Sequence, residues 1–143
     1  DEIINILSVQ YIDHLSTFNH LIPNTLDILE YLRPKYRLHI ITNGFQEVQR
    51  KKLENASIAG YFEHVIDSET AGVKKPNPYI FNFSLEKAAV AAEKAIMIGD
   101  NLEADVLGAR AVGFHTLHFN AHNNPSHEHG EIIDDLIEIK AYL

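Results

Sequence analysis

The sequence predicts an α/β protein built on a doubly wound parallel sheet. Short, almost wholly apolar segments alternate with segments whose apolar residues recur every three or four positions, as strands and helices do. Strands that are apolar on both faces are typical of parallel sheets covered by helices on either side, and right-handed crossovers then wind the chain outward in both directions. A chain of 143 residues suits one compact domain.

The elements are predicted in a regular order. An opening helix falls within residues 1–20, where apolar side chains recur at steps of three and four: Ile4, Leu7, Tyr11, Leu15 and Phe18. A second helix lies between Pro23 and Pro34, because proline interrupts helices. The later strands are predicted at residues 37–42, 62–67, 95–98 and 115–119. The later helices are predicted at residues 45–57, 78–91 and 103–112, with a polar loop at 120–130 and a closing helix within 131–143.

Composition and charge exclude several classes of protein. With 20 acidic and 12 basic side chains the formal charge is −8, which gives no broad positive field for a nucleic acid. The absence of cysteine excludes disulfides, thiol catalysis and thiolate metal sites, and it is compatible with a reducing compartment. No apolar run is long enough to cross a membrane. We therefore expect a soluble cytoplasmic protein that binds neither nucleic acid nor a membrane.

The first candidate site residues follow the strand at residues 37–42. Thr42 is the last residue of that strand, and Asn43 and Gly44 lie between it and a predicted helix. Ligands of open α/β sheets bind beyond the carboxyl ends of the strands, and the N–H groups at a helix N-terminus attract phosphate or carboxylate. Taken alone, these residues are better explained as a helix cap with a glycine turn.

Two further segments carry charged candidates. Lys74 and Lys75 precede a proline-stiffened turn, where a rigidly aimed ammonium could neutralise a phosphoryl oxygen. Asp100 directly follows the apolar strand at residues 95–98, and Asp105 comes five positions later. Paired carboxylates in a tight loop suit Mg2+, which prefers a few oxygen ligands. The alternatives are a solvated basic turn, a helix cap and a surface acid.

The three segments together resemble a known family. Ile-Ile-Thr42-Asn-Gly, Gly-Val-Lys-Lys75-Pro-Asn-Pro and Ile-Gly-Asp100-Asn-Leu-Glu-Ala-Asp105 are similar to motifs two, three and four of the haloacid dehalogenase-like phosphohydrolases. The resemblance covers residues 21–120 and continues weakly to the end of the chain. It implies a Rossmann-like sheet and Mg2+-dependent phosphoryl transfer through an aspartyl-phosphate.

The resemblance also implies a role for each residue that matches a motif. Thr42, Lys75 and Asp105 would be catalytic, with Asp105 holding either the lysine or the water shell of the metal. Asp100 would be the Mg2+ ligand. The substrate phosphate would be bound by Thr42, Asn43, Gly44 and Lys75.

The first motif of the family, Asp-x-Asp, is not found in the sequence, because no two of the eight aspartates are two positions apart. In the family this motif supplies the nucleophile from a strand between those that end here at Thr42 and Gly99. We therefore expect a C-terminal portion of a longer protein, with residues 1–20 as the last helix of a cap domain and residues 21–143 as the core. We expect the central slot to need the missing N-terminal segment, a swapped partner or an added strand, and the 143 residues alone to be inactive and unstable as a monomer.

The resemblance favours one function over two alternatives. The leading hypothesis is a Mg2+-dependent phosphatase for a small phosphate monoester, and Thr-Asn-Gly-Phe45 looks most like the pyrimidine 5′-nucleotidase branch. A non-catalytic phosphate-binding or interaction domain is the first alternative. A metal-independent 2-haloacid dehalogenase is the second, and the pairing of Asp100 with Asp105 argues against it.

Five histidines are concentrated near the end of the chain, at His115, His118, His122, His127 and His129. Imidazoles at this density can bind zinc or nickel. No regular spacing with acidic ligands completes a site, so we interpret the segment as a solvated loop whose charge rises below about pH 6.5.

Overall fold

The computed structural model describes residues 6–8, 23–121 and 123–143. One parallel sheet has the strand order β3-β2-β1-β4-β5-β6. Its strands are β1 (Ile6–Ser8), β2 (Arg37–Thr42), β3 (His64–Asp67), β4 (Ala95–Gly99), β5 (His115–Phe119) and β6 (Glu131–Ile133). This is the doubly wound Rossmann order, in which the chain moves outward from β1 first to one edge and then to the other. The predicted fold class is confirmed.

Helices cover both faces of the sheet. They are α1 (Thr25–Leu32), α2 (Gln46–Asn55), α3 (Ser68–Ala71), α4 (Pro78–Ala88) and α5 (Gly108–Val112). A π-helical turn at Leu102–Leu107 leads into α5, and short 3-10 helices lie at Ala59–Tyr61, Ala92–Lys94 and Leu136–Ala141. No helix of the described residues is long and apolar enough to span a bilayer.

Two buried clusters of apolar side chains lie on opposite faces of the sheet. Ile40 belongs to the cluster that includes α1 and the C-terminal 3-10 helix, whereas the next residue, Ile41, belongs to the cluster that includes α4 and α5. Successive residues of a strand point to opposite faces, so both faces of β2 are buried. This explains why the strand is apolar nearly throughout.

The carboxyl edge of the sheet between β2 and β4 is called the crevice below. Ser8, the last residue of β1, is level with His39 of β2 and Met97 of β4. β2 continues to Thr42 and β4 to Gly99, so the ends of these two strands lie beyond the level of Ser8. The strand order reverses between β1 and β4, and ligands of doubly wound sheets bind at such a switch point.

The structure corrects two predicted helical segments. Ile6–Ser8 form β1 between β2 and β4, so the predicted opening helix is wrong for these three residues, and the rest of it lies outside the described residues. The backbone groups of β2 and β4 need partners in that slot, and pairing there outweighs the helical periodicity. β1 carries no aspartate. Glu131–Ile133 form the edge strand β6 instead of the start of the closing helix.

Candidate active site

Lys75 lies at the centre of the crevice. Its ammonium donates to Asp105 Oδ1 at 2.5 Å and to the carbonyl of Ile41 at 3.1 Å. The side chains of Lys75 and Asp105 are only 3% and 2% exposed. Ile41 belongs to β2, while Asp105 lies in the turn that follows β4. One buried ammonium therefore spans the space between the ends of the two strands that flank β1.

Asn43 holds the backbone of that lysine. Its Oδ1 accepts a hydrogen bond from the Lys75 N–H at 2.7 Å, and its Nδ2 donates to the Lys75 carbonyl at 3.2 Å. The hydroxyl of Ser68 donates to the Asn43 carbonyl at 3.1 Å. The peptide bond between Lys75 and Pro76 is cis. Both polar atoms of the Asn43 side chain thus engage Lys75, which gives this residue a positioning role.

Thr42 and Gly44 form the turn between β2 and α2. The Gly44 N–H donates to the Thr42 hydroxyl at 3.0 Å, and Thr42 is buried. This local bond is the kind that threonine makes in turns. At the start of α2 the N–H of Gln46 donates to the carboxylate of Glu69 at 2.8 Å. The N-terminus of α2 therefore already has an anionic partner, as its dipole favours.

The loop after β4 brings Asp100 next to the buried pair. The Asn101 N–H donates to Asp105 Oδ2 at 3.1 Å, and the Asp105 N–H donates to the Asn101 carbonyl at 2.9 Å. A Cβ at Gly99 would lie 2.5 Å from the Cβ of Asp105, so this close approach requires glycine. Asp100 therefore lies between two residues that approach Asp105, the partner of the Lys75 ammonium.

A chain of hydrogen bonds supports Asp100 from the other side. His118 Nε2 lies 3.2 Å from the Asp100 carbonyl, His118 Nδ1 lies 2.8 Å from His127 Nε2, and the His129 N–H donates to His127 Nδ1 at 3.0 Å. A carbonyl only accepts, so His118 donates from Nε2 and His127 donates to His118 in turn. Partial burial, and then the neighbouring His118 and His129, hold the pKa of His127 below its ordinary value.

The charges in the crevice suit a cation and an anion together. Lys75 and Asp105 neutralise each other, and Asp100 adds one negative charge. A divalent cation held by Asp100 would add positive charge for a phosphate dianion. A strand-end carboxylate is a ligand type that Mg2+ prefers. The residues present therefore fit Mg2+.

Most of the residues singled out from the sequence converge on this crevice. Thr42, Asn43, Lys75, Asp100 and Asp105 all belong to or adjoin the network around the Lys75 ammonium. Among the four of these five histidines that the structure describes, only His118 reaches this network, through its contact with the Asp100 carbonyl. His115 instead lies with its Nε2 2.9 Å from the carbonyl of Glu93, and His122 lies outside the described residues.

Gly99, Asn101 and Ser68 are the supporting residues that sequence reasoning missed. The sequence feature that could have identified them is their position, because Gly99 and Asn101 flank Asp100 and Ser68 directly follows β3.

Strand order and switch point together define a Rossmann-like α/β protein, and the strand-end charges make the carboxyl edge between β2 and β4 its candidate ligand site. A family model described as haloacid dehalogenase-like hydrolase matches residues 1–113. The chain belongs to that family, and the resemblance stated from its motifs is confirmed.

Known relatives agree with this membership. The pyrimidine 5′-nucleotidase YjjG of Escherichia coli is 36% identical over 108 residues, which cover 75% of this chain and 48% of that protein. A glyceraldehyde 3-phosphate phosphatase of Pyrococcus abyssi is 42% identical over 109 residues, covering 74% of this chain and 46% of its own. The chain spans about half the length of these relatives. The crystal structure of the HAD-hydrolase YfnB of Bacillus subtilis bound to magnesium matches with a TM-score of 0.80 and 29% identity, covering 87% of this chain and 55% of that one.

Proposed function

We propose that the protein containing this chain is a Mg2+-dependent phosphatase that hydrolyses a small phosphate monoester through an aspartyl-phosphate. The observation that carries the proposal is the buried ammonium of Lys75 between the end of β2 and Asp105. An ammonium has three N–H donors, and the described residues accept from two of them. The third is the donor we assign to a phosphoryl oxygen.

Each residue of the crevice has a defined task in this proposal. Asp100 would hold Mg2+, which supplies positive charge to the phosphoryl oxygens when it is bound. Asp105 keeps the Lys75 ammonium aimed at the crevice. Thr42 would donate a hydrogen bond to the transferred group. Phosphoryl transfer depends on such positioned charges, because charge is spread over the equatorial oxygens in the transition state.

In this proposal the nucleophile is a carboxylate that lies outside these 143 residues. Because Ile6–Ser8 occupy the position between β2 and β4 in the structure, such a carboxylate would come with a strand, for example from a swapped partner, that replaces β1 there. The 143 residues alone would then show essentially no turnover. The absence of cysteine supports a cytoplasmic location for the protein.

The substrate is proposed as a phosphate monoester of a small metabolite, with a nucleotide as one specific candidate. The similarity to a pyrimidine 5′-nucleotidase supports the nucleotide, and the similarity to a glyceraldehyde 3-phosphate phosphatase supports the wider class. A magnesium-bound structure with the same fold supports the cofactor.

Hydrolysis of 4-nitrophenyl phosphate by the intact protein tests the proposal. Turnover should require Mg2+, stop with EDTA and fall by orders of magnitude in Asp100→Ala. The matched control is Glu103→Gln, which changes an exposed acid of the same loop and should keep turnover. Wild-type activity in Asp100→Ala would refute the metal assignment. Metal-independent turnover of a 2-haloacid, or phosphate binding without turnover, would favour one of the alternative functions.

A further inference from the structure

Three potential metal ligands meet at the open edge of the sheet, away from the crevice. His39 of β2 and His64 of β3 are paired in register, and Glu63 directly precedes β3. One ligand atom from each residue lies within 4.8 Å of the others. His39 is three residues before Thr42, which places the cluster about 10 Å from the end of β2 at roughly 3.3 Å per residue.

His39 is a buried imidazole with unsatisfied nitrogens. The residue is 1% exposed, and neither ring nitrogen makes a hydrogen bond with any residue that the structure describes. Its Nε2 lies 3.5 Å from Glu63 Oε1. Burying a polar group without a partner is costly, so such an atom calls for an explanation. Burial also lowers the pKa of His39 to about 4, which leaves the ring neutral, the form that binds metals.

The backbone holds the three residues in place while two side chains keep some freedom. The Glu63 N–H donates to the Leu38 carbonyl at 2.8 Å, which ties this residue to β2. The rings of His39 and His64 are nearly parallel, with their centroids 5.3 Å apart. Glu63 is exposed and His64 is half-buried at the edge strand, so an ion can reach them from solvent.

We propose that His39, Glu63 and His64 bind one divalent transition-metal ion of the zinc class, at a site separate from the phosphoryl site. Two imidazoles and one carboxylate are ligands that zinc accepts, with a fourth position left to water. Tetrahedral bonds of about 2.0–2.1 Å require ligand atoms about 3.3 Å apart. The Glu63 and His64 side chains, which are exposed and half-buried, would rotate to close that gap.

Arg37 is the competing partner of the carboxylate. Its Nη1 lies 3.6 Å from Glu63 Oε1, and its Nη2 donates to the Ala88 carbonyl at 2.5 Å. The guanidinium draws Glu63 away from an incoming cation and adds a like charge nearby. Arg37→Gln should therefore tighten zinc binding. A bound ion would link β3 to β2. β3 is the edge strand that precedes the segment containing Lys75.

Zinc titration of the intact protein tests the site, with saturating Mg2+ present to fill the other site. Affinity is measured by competition with a chromophoric chelator, and stability by thermal unfolding. Glu63→Gln and His64→Gln should weaken zinc binding at least about tenfold, since even outer-shell changes cost 10–100-fold. They should also lose the zinc-dependent rise in melting temperature. Circular dichroism and Mg2+-dependent turnover establish that both variants fold.

Two controls separate this site from the other candidate ligands. His127→Asn/His129→Asn removes the exposed imidazoles of the C-terminal loop, and Asp100→Asn removes the proposed Mg2+ ligand. Zinc binding should persist in both, which would hold even if the phosphatase proposal failed. The proposal is overturned if zinc does not bind, if Glu63→Gln and His64→Gln bind it unchanged, or if the loop variant alone loses it.

Discussion

Charge removal at Asp105 should separate the structural role of the buried ion pair from its role in turnover. Asp105→Asn keeps the shape of the side chain against Gly99 but leaves the Lys75 ammonium buried without its counter-charge. Breaking a buried pair from one side costs about 3–5 kcal/mol. Since domains are stable by only about 5–15 kcal/mol, urea unfolding of the intact protein should show a much lower midpoint.

The double variant Lys75→Met/Asp105→Asn gives the decisive comparison. It removes both charges, so its unfolding free energy should exceed that expected from adding the two single losses, by about 0.5–3 kcal/mol. Turnover of 4-nitrophenyl phosphate should nevertheless stay lost, because no ammonium remains in the crevice. The control Glu54→Gln breaks the exposed pair between Arg50 and Glu54, which are 3.0 Å apart, and should change stability little.

Two results would refute this reasoning. If Asp105→Asn loses less than about 1 kcal/mol, the pair is not buried and unsolvated as described. If the double variant hydrolyses the substrate at the unsubstituted rate, Lys75 does not take part in the reaction.

The remaining predictions concern stability. Histidine has a pKa near 6.5 in the unfolded chain, whereas the pKa of buried His39 is about 4. Between these values the unfolded state binds more protons than the folded state. The free energy of unfolding therefore falls as the pH drops through this window. The loss attributable to His39 is about 3 kcal/mol, and His39→Leu should show a correspondingly shallower decline in urea unfolding; equal slopes would contradict this. Gly99→Ala should cost about 1–3 kcal/mol by crowding Asp105, while Gly60→Ala, whose Cβ would meet no atom within 4 Å, should be tolerated in the same assay.

The fold class was predictable because strand burial repeats itself along the chain. β2, β4 and β5 lie where their apolar runs place them. The segment at Ile6–Ser8 was not predictable from local pattern, since its helical periodicity competes with a slot that exists only once the sheet has formed. β6 was missed for the same reason, because its pairing with β5 is a long-range event.

The charged residues of the crevice were predictable, but their partners were not. Lys75 and Asp100 follow strands whose carboxyl ends share one edge of the sheet, and the uncharged Thr42 ends a third such strand. Nothing in the local sequence indicates that the Asn43 side chain would hydrogen-bond to the backbone of Lys75, 32 positions away. His39 and His64 are likewise neighbours only through strand register, so their cluster is invisible to any motif search.

The span of Lys75 also has a mechanical consequence. The Lys75 ammonium is hydrogen-bonded both to the Ile41 carbonyl of β2 and to Asp105 in the turn after β4. The ends of these two strands therefore cannot move apart without breaking a buried hydrogen bond. A network this rigid is poorly suited to adapt to leaving groups of different sizes. Selectivity for one leaving group over another would then depend on parts of the protein other than these two strand ends.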